Sequence, residues 1–415
     1  MYGLYSGTFS WIDIGFKTVT PSVLATASAF SLAAMAAFQQ FKLPPVLPNL
    51  LDLYQYEPLF AGGLMSVYAL IGLFFSMGLG SAMARWGPPR FLLLAFAAVM
   101  TGNLLALAAP EQFLVMFISR AFEGLGFAVF AIIGPVYASR NAAAHHLPVA
   151  IALSAIWIPV GQLTANALTP IATAVNDWRV LWCAGFALAV GFAFWTIWIR
   201  YHKQVDLSAG LHTASAAAVT AHSRAENRFL IVTAIIFTLW SGQYFAYMTW
   251  LPLFLIDVHG FDQTASIIGY SVPVCLLIVF SLVTAALLKR GGSVAVLLVI
   301  SLILQAFVWL SMSWATHPLF GLASLIIYGV GIGIAPVCLF ALPSTILGAE
   351  RSGPKAFAIL MTGRNLGVLI GPILLPQIVT YFVDWDVNGW IFGSITTVAM
   401  ALALSLVIGL KNRTA

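Results

Sequence analysis

Charge is what this sequence has least of. Only 7% of its 415 residues are Asp, Glu, Lys or Arg, against the roughly 25% of an ordinary soluble domain. With 61% hydrophobic residues, a water-soluble globule is excluded. Cysteine is also scarce: Cys183, Cys275 and Cys338 each sit inside an apolar run, so a disulfide framework is excluded and each reads as a small buried hydrophobe. The histidines (145, 146, 202, 212, 222, 259 and 317) fall in loops or at the ends of apolar runs. None pairs with acids or cysteines at metal-ligand spacing, so neither a metal nor a cofactor is expected. The first twenty residues hold Asp13 and Lys17 and lack a charged, then apolar, then small-residue order, so no cleaved signal peptide is expected. No stretch has room for a separate soluble enzyme domain. The net charge of +5 is spread over short loops and does not point to nucleic acid.

What is present is apolar length. Breaks where charges cluster with Pro, Gly or Asn leave runs near 22–51, 59–83, 91–109, 112–139, 147–174 and 179–200, then 229–256, 264–288, 293–313, 318–342, 356–382 and 389–410. Each is long enough to cross a bilayer as a helix, which takes about 20 residues. The expected fold is an all-α membrane protein of twelve transmembrane helices in two pseudo-symmetric six-helix bundles. The bundles span 22–200 and 229–410, between a terminal segment 1–21 and a tail 411–415. Residues 201–228, the one long polar stretch, read as an aqueous linker.

The basic residues fix an orientation. Lys17, Arg85, Arg90, Arg140, Arg200, Lys203, Arg224, Arg228, Lys289, Arg290, Arg351, Lys355, Lys411 and Arg413 fall on the side of the termini, and only Arg179 on the other. By the positive-inside rule both termini are cytoplasmic. The expected setting is a bacterial inner membrane, the protein a monomer in the lipid bilayer. The halves also echo each other. VLPNLLD ends at Asp52 where WLPLFLID ends at Asp257, and the turns ARWG (84–87) and LKRGG (288–292) follow the second span of each half. Such correspondence favours duplication, and a duplicated six-helix unit makes a clamp around a central cavity.

The stretch from Gly80 through Arg85, Gly87 and Arg90 resembles the inner-loop signature of the major facilitator superfamily of secondary transporters. Ala84 stands where that family usually has Asp. Arg120, Gly124 and Gly126 are similar to the family's Arg-plus-Gly-x-Gly pattern in the fourth span, and Asp177-Trp178-Arg179 to the turn after the fifth. Pro159, Gly161 and Pro170, with Gly367 and Gly371-Pro372 in the eleventh span, resemble its glycine-proline motif. A basic residue shortly before a proline-rich stretch in the first span, here Lys42, is similar to the cyanate and nitroimidazole transporter branch. The resemblance covers essentially the whole chain. It implies alternating access, with Gly80, Arg85, Gly87 and Arg90 as a conformational loop. Independently of family, Gly124, Gly126, Gly329, Gly331 and Gly333 let helix backbones approach closely in lipid.

Four ionisable residues lie within the apolar runs: Lys42, Arg120, Glu123 and Arg364. At about 1.5 Å per residue, Lys42, Arg120 and Arg364 come out roughly 12 to 14 Å deep in a core about 30 Å thick. A cation there costs on the order of 2.5 to 3.5 kcal/mol on insertion scales, so each needs a partner or water. Arg120 and Glu123, three residues apart, are either a self-satisfied ion pair or a proton-coupling site at Glu123. Lys42 sits in Gln39-Gln40-Phe41-Lys42-Leu43-Pro44-Pro45, where the prolines leave carbonyls free. The intramembrane excess of two positive charges attracts an anion, so Lys42, Arg120 and Arg364 are candidate substrate ligands. Gln39, Gln40, Gln243, Tyr244, Tyr247 and Asn365 complete that candidate set, with Trp157, Gln162, Asn166 and Trp240 as further polar or aromatic lining.

The reading that follows is a secondary active transporter of a small organic or inorganic anion, with a coupled proton as an option and no enzymatic activity. The alternative is a proton-coupled exporter of lipophilic compounds, which would use Glu123 and an aromatic wall. A membrane-embedded enzyme or sensor finds no nucleophile with a base and no appended domain.

Overall fold

The computed structural model describes residues 23–86, 88–141, 147–202, 223–348, 351, 354–382 and 384–414. Among them every regular element is helical, as lipid requires of a chain that must satisfy its own backbone groups. The first bundle comprises α1 (Val23–Phe41), α2 (Leu47–Tyr54), α3 (Pro58–Trp86), α4 (Pro88–Ala108), α5 (Phe113–Asn141), α6 (Leu147–Ala174) and α7 (Arg179–His202). The second comprises α8 (Arg224–His259), α9 (Gln263–Lys289), α10 (Val294–Leu310), α11 (Pro318–Leu347), α12 (Pro354–Phe382) and α13 (Asp386–Thr414). Among the described residues, nine helical segments are long and apolar enough to cross a membrane.

The expected first span, 22–51, is not one helix. Its α-helical bonding runs to Lys42, whose N–H reaches Phe38 O at 2.9 Å. A 3-10 turn, Pro44–Val46, follows before α2. The cause is in the sequence: Pro44 and Pro45 carry no N–H and their rings collide with the preceding turn. The carbonyls of Gln40 and Phe41 therefore lose their i+4 donors, and the axis restarts at Leu47. The cysteine expectation also needs correction. Cys338 is buried, but Cys183 and Cys275 are exposed on their helices, because a helix bathed in lipid is apolar on its outer face as well as its inner one.

Within the first bundle α1 lies along α5 and α6, α4 along α5 and α7, and α3 along α5. In the second, α8 lies along α12 and α13, α10 along α11 and α13, and α11 along α9. The bundles meet along two lines, α3 on α12 and α6 on α9, and the 3-10 turn and α2 touch α8. At the end that carries the 55–57 and 260–262 turns, the side-chain amides of Asn49 and Gln263 bond each other across the seam.

Glycine sets the closest approaches. A Cβ on Gly62 of α3 would fall 2.8 Å from the Pro372 carbonyl carbon of α12. On Gly371 it would fall 2.8 Å from the Gly242 carbonyl carbon of α8. Both obstacles are backbone and cannot rotate away. Gly371→Ala is expected to destabilise the protein by about 1–3 kcal/mol, read as a lower thermal midpoint in detergent. An unchanged midpoint would mean that α8 and α12 are not packed this tightly.

Candidate functional site

Three of the four intramembrane charges come together in one place. The break after α1 turns Lys42 inward, and its ammonium spends all three protons. They go to Glu123 Oε1 at 2.8 Å, Asn103 Oδ1 at 2.5 Å and Gln39 Oε1 at 2.7 Å. The Nζ also sits 4.5 Å from the centre of the Trp182 ring. Arg120, one turn before Glu123 on α5, pairs with Glu123 Oε2 at 2.5 Å. It also caps the broken helix, donating to Gln39 O at 2.7 Å and Gln40 O at 2.8 Å, and reaches α3 through Leu64 O at 3.2 Å. The carbonyls freed by Pro44 and by the break are thus taken by an arginine from α5, not by Lys42. Tyr68 lies under the guanidinium, 4.5 Å from it, and its hydroxyl is 2.9 Å from Glu123 Oε2. Lys42, Arg120, Glu123, Gln39 and Asn103 are all completely buried.

This cluster lies inside the first bundle, among α1, α3, α4, α5 and α7. One acid serves two cations, so a charge of +1 remains, spread over Trp182, Tyr68 and backbone carbonyls. Every proton of Lys42 and four of the five of Arg120 already have acceptors, which leaves little on either to offer a ligand. Asn103, Tyr68 and Trp182 escape a search for charges because they are ordinary constituents of apolar spans. Asn103, the single amide of its run, was the one available signal.

The second bundle holds a neutral polar core among α8, α10 and α11. Gln243 of α8 donates to Gln305 Oε1 at 2.6 Å and accepts from Trp309 at 2.7 Å and Tyr328 at 2.8 Å. Trp240 donates to Gln305 Oε1 at 3.1 Å, and Tyr247 stacks on Tyr328 with centroids 3.8 Å apart. Of the expected α8 face, Trp240, Gln243 and Tyr247 therefore engage this core. Gln243→Leu would strand two buried donors, Trp309 Nε1 and the Tyr328 hydroxyl, and take one of the two donors from Gln305 Oε1. The expected loss is about 2–4 kcal/mol, from desolvated groups costing roughly 1–3 kcal/mol each with partial rearrangement. The thermal midpoint would report it, and a neutral result would mean the network is not formed.

The fourth charge lies apart, on the seam. Arg364 of α12 is half-buried, donates to Asn365 Oδ1 at 3.1 Å and sits 5.6 Å from the Phe245 ring. No acid lies within ion-pair distance of it among the described residues. Phe245 faces Phe41 of the first bundle, centroids 6.0 Å apart, and Tyr244 stands edge-on to Phe245 at 5.0 Å. Tyr244 also stacks on Trp240, 5.1 Å away and nearly parallel at 8°. It lies within electrostatic reach of Arg364 and of Tyr270 on α9. From α6, Gln162 donates to the Tyr270 hydroxyl at 2.6 Å and Asn166 to Ser271 Oγ at 3.0 Å. The Tyr244 hydroxyl, Gln162 Oε1, Gln40 Oε1 and Asn166 Oδ1 are buried without a protein partner. The candidate ligands thus divide: Lys42, Arg120 and Gln39 belong to the closed cluster, to which Gln40 is joined by its carbonyl, while Arg364, Asn365 and Tyr244 gather near the seam. Tyr270, not singled out from the sequence, joins them. Of the loop signature, Gly80 lies within α3 and Arg90 is exposed in the first turn of α4. Gly87 and the side chain of Arg85 lie outside the described residues.

Comparison with known proteins places this architecture. The purine ribonucleoside efflux pump NepI of Salmonella paratyphi A is 21% identical over 358 residues, covering 83% of this chain and 85% of that protein. A variant of the nucleoside transporter NupG superposes with a TM-score of 0.71 at 15% identity, over 92% of this chain and 99% of that one. The D-xylose-proton symporter does so with 0.71 at 16%, over 91% and 96%. At these identities the structural likeness speaks for the fold alone. The sequence model of the Major Facilitator Superfamily matches residues 29–354, most of the chain, and this chain therefore belongs to that superfamily, as a multi-pass membrane transporter and not an enzyme.

Proposed function

We propose that this transporter carries a small organic anion, held between the bundles by Arg364 and passed across by alternating access. One observation carries the reading: Arg364 is the intramembrane cation left without an acid among the described residues, and it stands at the seam. A half-buried guanidinium with one amide oxygen as its protein acceptor can offer a fork of donors to a carboxylate. Lys42 and Arg120 act at one remove, through the charge they leave in the first bundle. Glu123 serves as their fixed counter-ion, since Lys42, Arg120 and Tyr68 already occupy its oxygens. In this reading the halves 22–200 and 229–410 move as bodies joined by 201–228, with the termini in the cytoplasm and the protein acting as a monomer.

A second reading, a neutral planar solute, draws on the Trp240–Tyr244 stack beside the seam and on the nucleoside-handling names of similar proteins. Flux into proteoliposomes separates the two. Saturable uptake of labelled benzoate, with none of labelled inosine, is expected. Saturable inosine uptake without any anion uptake would overturn the anion reading.

A further inference from the structure

The seam holds more than a cation. Gln162 is completely buried on α6. Its Nε2 is committed to the Tyr270 hydroxyl at 2.6 Å, and its Oε1 has no protein partner. Turning the amide over exchanges the atom left over but leaves one over either way. On the opposite side of the seam the Tyr244 hydroxyl, also buried, has no protein partner. Tyr270 is tethered to Gln162 and within electrostatic reach of Tyr244, as Tyr244 is of Arg364. Buried polar atoms are rarely left unmatched without a reason. Here two, one from each bundle, are linked through Tyr270, and Tyr244 stands beside the Phe245 ring that faces Phe41 and the unpaired Arg364.

We propose that the substrate is a planar organic anion bearing a hydroxyl at the end remote from its charge, and that Gln162 and Tyr244 read that hydroxyl while Arg364 holds the charge. The inference rests on the assignment of Arg364 as the anion's partner. A hydroxyl donates and accepts, so it answers whichever atom of the Gln162 amide is free and the Tyr244 hydroxyl as well. Flat aromatic walls select a flat solute. A site that leaves polar groups unpaired when the hydroxyl is missing discriminates far better than one that measures size alone.

The test compares binding of 4-hydroxybenzoate and benzoate to the purified full-length chain, by titrated thermal shift in detergent. The wild type is expected to prefer 4-hydroxybenzoate by about tenfold or more. Gln162→Leu brings that ratio down to about one. Tyr270→Phe removes the tether but keeps the Gln162 amide, and it retains a preference; a ratio of one in this variant too would reduce Gln162 to a structural support and overturn the proposal. Should Gln162→Leu fail to fold, Tyr244→Phe decides, since it deletes a hydroxyl that bonds nothing in the protein. Its ratio must also fall. Equal affinities in the wild type, or a full preference surviving in the folded variants, overturn the inference. If Arg364→Ala then still abolishes binding of both probes, the anion reading stands and only the hydroxyl reading fails. If neither probe binds the wild type, or if Arg364→Ala binds both as the wild type does, both fall together.

Discussion

Glu123→Gln is expected to be the most destabilising conservative substitution in the protein, costing about 3–5 kcal/mol, the range for removing one partner of a buried ion pair. The change is nearly isosteric, so packing is not at issue. It leaves Lys42 and Arg120, both completely buried, as two cations sharing neighbours with no acid between them. The amide that replaces the carboxylate can accept at one atom only, while its NH₂ group points a donor at a donor. Lys42→Met should be milder, because Arg120 and Glu123 remain a pair at 2.5 Å and the flexible thioether can fill the space. The order, Glu123→Gln below Lys42→Met below wild type in thermal midpoint, is the discriminating result. A Glu123→Gln midpoint within about 2 °C of wild type would show that the carboxylate is not the keystone of that cluster and would reopen it as a group free to exchange protons.

Arg364→Ala is expected to do the reverse: abolish transport while leaving the fold nearly untouched. Its one side-chain hydrogen bond, to the adjacent Asn365, and its contact with Phe245 are small assets. The charge-assisted bonds it would make to a bound anion are not. Hydrogen bonds to charged groups contribute about 1.5–3 kcal/mol each, so losing a bidentate contact lowers affinity by roughly 100-fold or more. Arg364→Lys keeps the charge and loses the fork, and should fall between. Initial rates of anion uptake in proteoliposomes, alongside thermal midpoints, measure both halves of the statement. Wild-type rates in Arg364→Ala would sink the site assignment.

The contrast between these two residues also marks where the sequence could be read and where it could not. Membrane crossing is written in composition and run length, because lipid imposes the same demand on every span. The Arg120–Glu123 pair was legible at a spacing of three on one helix. The Lys42–Glu123 pair was not, since 81 residues separate the two and only the packing of α1 on α5 brings them together. The same limit hid which cation stays unpaired: Lys42 and Arg364 look alike in sequence, each without an acid in its own span, and only the fold gives one a carboxylate. The freed carbonyls beside Pro44 were predictable from chemistry, yet their donor came from another helix. Gln243 presented the mirror case, a polar residue on an aromatic face that reads equally well as lining or as core until α10 and α11 are placed around it.

The interruption at Leu43 has a mechanical meaning. Below it, α1 is pinned to α5 through the two carbonyls that Arg120 holds; above it, the eight residues of α2 form a separate rod about 12 Å long. Pivoting that rod by about 20° at the joint would carry its far tip about 4 Å relative to α8 and draw Asn49 away from Gln263, while the ion cluster beneath stays in register. A lever of this kind lets one side of a membrane protein open without a toll on the charges buried beside its hinge.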